Sequence, residues 1–255
     1  MKYGLGLSQA FRTMTIVPVP GKDAKSASSQ LYFYPLVGLS IGALGTAIMY
    51  LLTKYVSLTI AVSLVFGVLW ACYMAFITRA FHLDGLGDTA DGFGGGWTRE
   101  RRLEIMKDSR SGSFGVVAIA LCLLLKMASA TAIIAENRVL MLLWATFIAR
   151  VQVVLMCTFS NYAKDSGLSY ELVSKAGASH VISAMIQTAL VGLGLYFLFD
   201  VPLSFLLVPL ASATAAMVIL SLVSKSKIGG ITGDVLGCCC EICETISLSV
   251  CVFLI

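Results

Sequence analysis

Three aspartates at helical spacing are the residues in this sequence with the clearest chemical potential. Asp84, Asp88 and Asp91 are separated by four and then three positions, so a helix that continues from the apolar segment before them would carry all three carboxylates on one face. Like charges held this close raise one another's pKa, and a bound cation removes that cost. Hard oxygen ligands suit Mg²⁺, which also accepts phosphate oxygens. The spacing therefore predicts a metal site, for a cation such as Mg²⁺ or Mn²⁺, or a phosphate site. The same carboxylates are candidate catalytic groups.

Glycines surround these aspartates, at Gly85, Gly87, Gly92 and Gly94–Gly96. Because glycine has no side chain, backbone can approach a bulky ligand closely there, which favours a metal or phosphate site. His82 precedes the first aspartate and is a candidate to orient a phosphate or a carboxylate, although a simple interfacial histidine fits equally well. The structural alternative for the acids is a solvated helix end that pairs with Arg99, Arg101 and Arg102.

A second polar segment, residues 107–113, directly precedes an apolar run. Exposed N–H groups at a helix N-terminus bind anions, and arginine is suited to bidentate phosphate recognition. The alternative is helix capping by Ser111 or Ser113. The predicted phosphate-binding residues of this segment are Lys107, Asp108, Ser109, Arg110 and Gly112.

A third motif, Gly229–Asp234, opens the last apolar segment. It lacks the Gly-Lys-Ser/Thr of a P-loop. Gly230, Thr232 and Gly233 are predicted to contact substrate, and Asp234 is a further catalytic candidate.

Two carboxylates lie deeper in the same segment, Glu241 and Glu244. Carboxylates inside a membrane are costly and usually functional, so both are candidate accessory residues. The alternative is that they hold helices together by pairing with Lys126 and Arg150. The cysteines around them, which include a Cys-x-x-Cys, are interpreted as small residues of a helix interface rather than a metal site.

The composition places these motifs in a membrane protein. The chain has 255 residues, of which 58% are hydrophobic and 13% are charged, and its mean hydropathy is +0.90. Segments of about 20 apolar residues are long enough to span a bilayer. The predicted fold is all-α and polytopic, with seven spans near 31–53, 56–77, 114–135, 139–159, 181–199, 203–223 and 231–255, preceded by an amphipathic helix within 3–17.

The basic residues predict the orientation. Fourteen lysines and arginines fall on one side of these spans and two on the other, and the richer side is normally cytoplasmic. The expected protein is a single domain, 1–255, in the cell inner membrane, with a cytoplasmic N-terminus, active site and motif loop, residues 79–113. The sequence has no basic stripe with interleaved aromatic residues, so we do not expect the protein to bind nucleic acid. A homo-oligomer is left open.

Three stretches together resemble the cobalamin synthase family. They are His82–Gly92, Arg102–Gly115, and Gly229–Asp234 with the two glutamates behind it; residues 11–20 also look like the opening of that family. The resemblance covers essentially the whole chain. Gly87 stands where the family often has alanine, and the cysteine run is unusual.

The resemblance implies a reaction as well as a fold. Family members transfer the cobinamide-phosphate group of adenosylcobinamide-GDP to α-ribazole or its 5′-phosphate, release GMP and use Mg²⁺. Two other functions are considered. A CDP-alcohol phosphotransferase would need the pattern Asp-Gly-x-x-Ala-Arg. Here Asp91-Gly92 continues as Phe-Gly-Gly-Gly, without the Ala-Arg pair. A secondary transporter would carry protons or ions past Asp234 and the deep glutamates, but the inverted repeat typical of transporters is not evident.

Overall fold

The computed structural model describes residues 2–167 and 169–255, and over these residues the chain is helical and contains no β-strand. A 3₁₀ helix, Ala27–Phe33, runs directly into the second α-helix. The α-helices are α1 (Lys2–Met14), α2 (Tyr34–Tyr55), α3 (Ile60–Ile77), α4 (Phe81–Gly95), α5 (Arg99–Ile105), α6 (Ser113–Ala135), α7 (Leu140–Phe159), α8 (Tyr170–Ser174), α9 (Ala178–Phe199), α10 (Leu203–Ile228) and α11 (Gly233–Val252).

Seven helices are long and apolar enough to cross a membrane: α2 with the 3₁₀ helix before it, α3, α6, α7, α9, α10 and α11. This confirms the predicted all-α, polytopic fold. The ends differ by a few residues, most clearly in α3, which begins at Ile60 rather than near Val56. Thr59 explains that start, because its hydroxyl accepts a hydrogen bond from the N–H of Val62 and caps the helix.

The centre of the bundle is formed by α7 and α11, which are mostly buried, whereas α9 exposes most of its length. α2 packs on α7, and α10 packs on both central helices. Large apolar side chains such as Leu190 and Phe197 of α9 are exposed, as expected of a surface that faces lipid rather than water. α1 also forms, and its Ala10 and Met14 are buried against the rest of the protein.

The helix that carries the three aspartates is separate from the span before it. We expected one continuous helix, and this expectation is wrong: α3 ends at Ile77, and Arg79 and Ala80 adopt left-handed backbone angles, with φ of 55° and 54°. Two such residues end a right-handed helix. The segment between spans α3 and α6 is consequently folded into α4 and α5, and α4 packs between α6 and α11.

Close helix contacts account for several glycines of the first motif. A methyl group added to Gly85 would lie 2.7 Å from the carbonyl oxygen of Asp234, so α4 and α11 touch through their backbones at this point. On the α6 side, a methyl group on Gly115 would collide with the carboxylate of Asp91. We had interpreted the glycines around the aspartates as room for a ligand, but at Gly85 the room is taken by a neighbouring helix.

Candidate active site

The three sequence motifs meet at one end of the bundle. α4 carries the aspartates, and it contacts the start of α11 through Gly85 and the start of α6 through Asp91. Residues 82–91, 107–115 and 229–234 therefore surround one site although they are far apart in the chain. The packing of α4 between two spans is what assembles it.

Electrostatic crowding is centred on Asp88. Its pKa is raised to about 6, first by partial burial and then by the negative charges of Asp84, Asp234 and Asp91. Asp84 is exposed, whereas Asp88 and Asp234 are half-buried. Four carboxylates whose charges act on one another in this way favour either a shared proton or a bound cation.

Asp91 has a structural partner that the sequence did not reveal. Its two carboxylate oxygens accept hydrogen bonds from the backbone N–H groups of Gly112, at 2.7 Å, and Gly115, at 2.8 Å. Asp91 thus caps the N-terminus of α6 from a different helix, where a negative charge is favourable. Two of the N–H groups at this helix N-terminus, where we predicted that a substrate anion binds, are therefore bonded to this carboxylate. Because a carboxylate offers about four lone-pair sites, its assignment as a metal ligand stays a prediction.

The turn before α11 is fixed by the loop that follows α7. Ile231 and the segment 161–163 exchange backbone hydrogen bonds of 2.8 Å in both directions. Gly230 is pressed against this segment, since a methyl group there would collide with the carbonyl of Asn161. The hydroxyl of Thr232 caps α11 and donates a 3.2 Å hydrogen bond to Asp234. Gly230 and Thr232, predicted to contact substrate, therefore have clear roles in presenting Asp234.

The same loop brings two residues to the site that sequence reasoning missed, Tyr162 and Lys164. Burial lowers the pKa of Lys164, the negative charge of Asp234 opposes that shift, and Lys107 adds to it. Burial also raises the pKa of Tyr162, and Asp234 adds to this effect. Both residues therefore lie close to the carboxylates. We had counted Lys164 only toward the orientation of the spans, and its spacing gives no indication of its position here.

The arginines next to the acidic motif do not neutralise it. Arg99 donates to the carbonyls of Ile228 and Ala163, at 3.0 and 2.6 Å, and Arg102 donates to the carbonyls of Gly96 and Lys227. Arg101 pairs with Glu104. Within residues 2–167 and 169–255, the carboxylates of the cluster form no ion pair. The alternative of a helix end neutralised by these arginines is therefore wrong.

The segment 107–112 lies beside the cluster but is exposed. Lys107 is close enough to influence Lys164. Arg110, predicted to bind phosphate, instead holds Asp108 through several hydrogen bonds, the shortest of 2.7 Å. This contact lowers the pKa of Asp108 to about 2. Both side chains are at the surface, where such a pair is easily exchanged, so Arg110 remains free to move to a phosphate.

His82 is buried on α4 at the edge of the site. Burial lowers its pKa to about 3, and the positive charge of Arg150 adds to the effect, so the imidazole is neutral. Its Nδ1 atom is buried, and no described residue forms a hydrogen bond with it. A buried histidine that lacks a partner costs free energy, which favours a role for this ring beyond packing.

Glu241 and Glu244 lie deeper and form a buried ion cluster. Lys126 donates to Glu241 at 2.6 Å and to Glu244 at 3.0 Å, and Arg150 donates to the other oxygen of Glu244. These are the two partners predicted from the sequence. Two positive and two negative charges balance, as expected for charges buried within a membrane. The cluster ties α6 and α7 to α11, so the positions of the carboxylates above it depend on these ion pairs.

The donor set fits a hard divalent cation. Asp84, Asp88, Asp91 and Asp234 offer only oxygen ligands, and their mutual repulsion is the feature that a cation would relieve. In the part of the chain that the structure describes, no group of three or more His, Cys, Asp or Glu side chains is close enough to enclose a metal. Mg²⁺ commonly binds through one or two carboxylates and completes its shell with water and phosphate oxygens, so the Mg²⁺ site stays a prediction.

Seven apolar helices, with a cluster of carboxylates at one end, define a multi-pass membrane protein. Residues 6–252 match the family model for cobalamin-5-phosphate synthase. The chain therefore belongs to that family.

Similar proteins agree with the family match. The chain is 36% identical to a protein of Prosthecochloris aestuarii over 94% of both chains. It is 38% identical to one of Chlorobium chlorochromatii, over 94% of this chain and 92% of the relative, and 39% identical to one of Chlorobaculum tepidum, over 94% and 91%. All three are named adenosylcobinamide-GDP ribazoletransferase. No solved structure matches the chain. These matches favour the cobalamin synthase interpretation over the phosphotransferase and transporter alternatives.

Proposed function

We propose that this protein is a ribazoletransferase that joins α-ribazole, or its 5′-phosphate, to the phosphate of adenosylcobinamide-GDP and releases GMP. The observation that carries the proposal is the cluster of Asp84, Asp88, Asp91 and Asp234, which has no arginine or lysine paired to it among the described residues. Carboxylates without a positively charged partner repel one another and destabilise the folded protein. They are therefore expected where they bind a cation and its phosphate ligand. The family and the names of the relatives supply the substrates.

Asp84, Asp88 and Asp91 would hold Mg²⁺, with Asp91 fixed in place by the N-terminus of α6. A bound Mg²⁺ would supply neutralisation of the pyrophosphate and of the charge that develops on the leaving GMP.

The protein's own groups divide the remaining tasks. Asp234, whose carboxylate accepts a hydrogen bond from Thr232 at the start of α11, would accept the proton of the attacking ribazole hydroxyl. Lys164 and Lys107 supply positive charge beside the carboxylates and would hold phosphate oxygens. Positioning and charge stabilisation then provide most of the rate, as in phosphoryl transfer generally.

We further propose that the site faces the cytoplasm across the cell inner membrane, as the distribution of 14 basic residues to two supports. Reporter fusions at the two termini would test this orientation: a cytoplasmic signal at the N-terminus and an external signal at the C-terminus are expected. The opposite pattern would reject it.

The activity is tested with purified protein in nanodiscs, adenosylcobinamide-GDP, α-ribazole and Mg²⁺. Stoichiometric release of GMP with formation of the joined product is expected, and EDTA should abolish both. Absence of GMP release by a folded protein with all components present would reject the proposed reaction. Movement of substrate across the membrane without covalent change would instead support a transporter.

A further inference from the structure

A cavity of about 320 Å³ lies next to the carboxylate cluster and is not explained by the proposed roles. The first turn of α11 separates the two: Gly233, Leu236 and Gly237 line the cavity, whereas Asp234 belongs to the carboxylate cluster. α1 and the 3₁₀ helix Ala27–Phe33 form another wall. The cavity therefore opens on the same turn of helix that presents the candidate general base.

The cavity is mostly apolar, and its polar side chains are uncharged with one exception. Besides His82, the uncharged polar residues among the described lining are Gln9, Thr13, Gln30, Tyr34 and Ser169. Gln30 and Thr13 contribute an amide and a hydroxyl that are hydrogen-bonded to each other at 2.9 Å. Arg79 is the charged residue among the described lining residues, and its guanidinium donates to the carbonyl of Arg12. Only one of the described lining residues is charged, and its guanidinium is already bonded to a backbone carbonyl, which favours a neutral occupant over a phosphate group.

His82 lines this cavity with a side chain that is 97% buried, as its exposure is 3%. Its Nδ1 atom has no hydrogen-bond partner among the residues that the structure describes. Such a group in an apolar cavity with few polar atoms is characteristic of a small-molecule site. A heterocyclic ligand that hydrogen-bonds the imidazole would remove the cost of the missing partner.

We propose that this cavity binds the base of the acceptor nucleoside and that His82 orients that base, an inference that rests on the proposed function. The volume is at the small end for ligand pockets, so it admits a flat two-ring base with part of its sugar and excludes a corrin ring. The ribose would then emerge beside Gly233, towards Asp234. This arrangement makes His82 a specificity-determining residue for α-ribazole.

The guanine of the nucleotide donor fits the cavity less well. Guanine presents several N–H donors in addition to its acceptors, and each needs a partner when it is buried. No carboxylate lines the described part of the cavity to receive them. The base of α-ribazole has a single free ring nitrogen, which one imidazole N–H can satisfy.

The first test replaces His82 by leucine, which keeps the bulk and removes the hydrogen bond, with His180→Leu as the matched control. His180 is also buried but lies on α9 and accepts a hydrogen bond from the N–H of Gly177. His82→Leu should raise the KM for α-ribazole at least tenfold and change the KM for adenosylcobinamide-GDP less than twofold. His82→Asn, which restores an amide near the Nδ1 position, should recover part of the loss. A selective rise in the donor KM would assign the cavity to guanine and overturn the proposal.

A second test fills the cavity without touching the histidine. Leu172→Phe adds volume at the cavity wall, and Leu210→Phe makes the same change in an apolar groove between α7, α9 and α10. Only the first should weaken binding of α-ribazole, measured by equilibrium dialysis without the nucleotide donor. Equal binding by both variants would overturn the proposal.

The dialysis also separates the two levels of inference. If the wild type binds α-ribazole through His82 but releases no GMP when the donor is added, the subsite stands and the reaction fails. If the wild type releases GMP and His82→Leu binds α-ribazole as tightly as the wild type does, the reaction stands and the subsite fails.

Discussion

Replacing Asp88 by asparagine should stabilise the metal-free protein and abolish its activity. The raised pKa of Asp88, about 6 instead of 3.8, means that its negative charge opposes folding at neutral pH. A shift of about two units corresponds to roughly 3 kcal/mol at about 1.4 kcal/mol per unit. Because Asp88 is half-buried and solvent screens its neighbours, we expect about 1 kcal/mol of stabilisation in the Asp88→Asn variant.

The sign of the pH dependence follows from the same shift. For a carboxyl whose folded pKa is raised, ionisation destabilises the folded state, so the metal-free wild type should lose stability as the pH rises from about 4 through about 6. The Asp88→Asn variant should lose less over that range. Mg²⁺ should stabilise the wild type, by about 2.7 kcal/mol at a concentration 100 times Kd, and should have little effect on the variant.

The buried cysteines provide the assay. Cys122, Cys157 and Cys243 are among seven described cysteines that are buried, so a thiol-reactive fluorophore reports their exposure on heating. Unfolding is followed in detergent with EDTA or Mg²⁺ at several pH values, and GMP release is measured on the same samples. A variant that is less stable than the wild type in EDTA, or that still gains stability from Mg²⁺, would refute the assignment of Asp88 to a crowded cation site.

Three further variants test the parts that support the site. Arg150→Met leaves a buried carboxylate without one of its partners and should cost about 3–5 kcal/mol of stability, measured by the same thiol assay. Lys164→Ala should raise the KM for adenosylcobinamide-GDP about tenfold, whereas Lys175→Ala, which removes an exposed partner of a surface pair, should not. Gly85→Ala would push α4 away from α11 and should lower the free energy of unfolding by about 1–3 kcal/mol, with loss of activity. Gly194→Ala should not destabilise the protein, because nothing lies within 4 Å of the added carbon.

The spans could be predicted from the sequence because their physical cause is local. A helix such as α6, Ser113–Ala135, needs only enough consecutive apolar residues to cross the bilayer, and its predicted and observed ends agree within one residue. The break at Arg79 and Ala80 could not be predicted in this way. Neither is a glycine, and their left-handed angles are stabilised by contacts from α1, such as the hydrogen bond from Arg79 to the carbonyl of Arg12.

The same difference between local causes and contacts from distant segments applies to the candidate site. The carboxylates could be found because their spacing within one helix makes them neighbours, whatever the rest of the fold does. Lys164 and Tyr162 could not, because they reach the site through the pairing of Ile231 with the loop after α7, and nothing in their own sequence encodes that pairing. Asp91 lies between these cases: its position was predictable, but its bond to the N-terminus of α6 depends on how α4 packs.

The two groups of acids in this protein differ in burial and in pairing, and these differences distinguish a structural role from a chemical one. Glu244 is buried but bonded to Lys126 and Arg150, so its charge is balanced within the protein and is available to fix helices rather than to act on a ligand. Asp88 is less buried, yet its neighbours are carboxylates and its charge is not balanced. A folded protein retains such an unbalanced group only at a cost in stability, and function commonly accounts for that cost. The deeper acids therefore hold α6, α7 and α11 in register, and we propose that the acids of α4 depend on that register to bind a cation and its phosphate ligand.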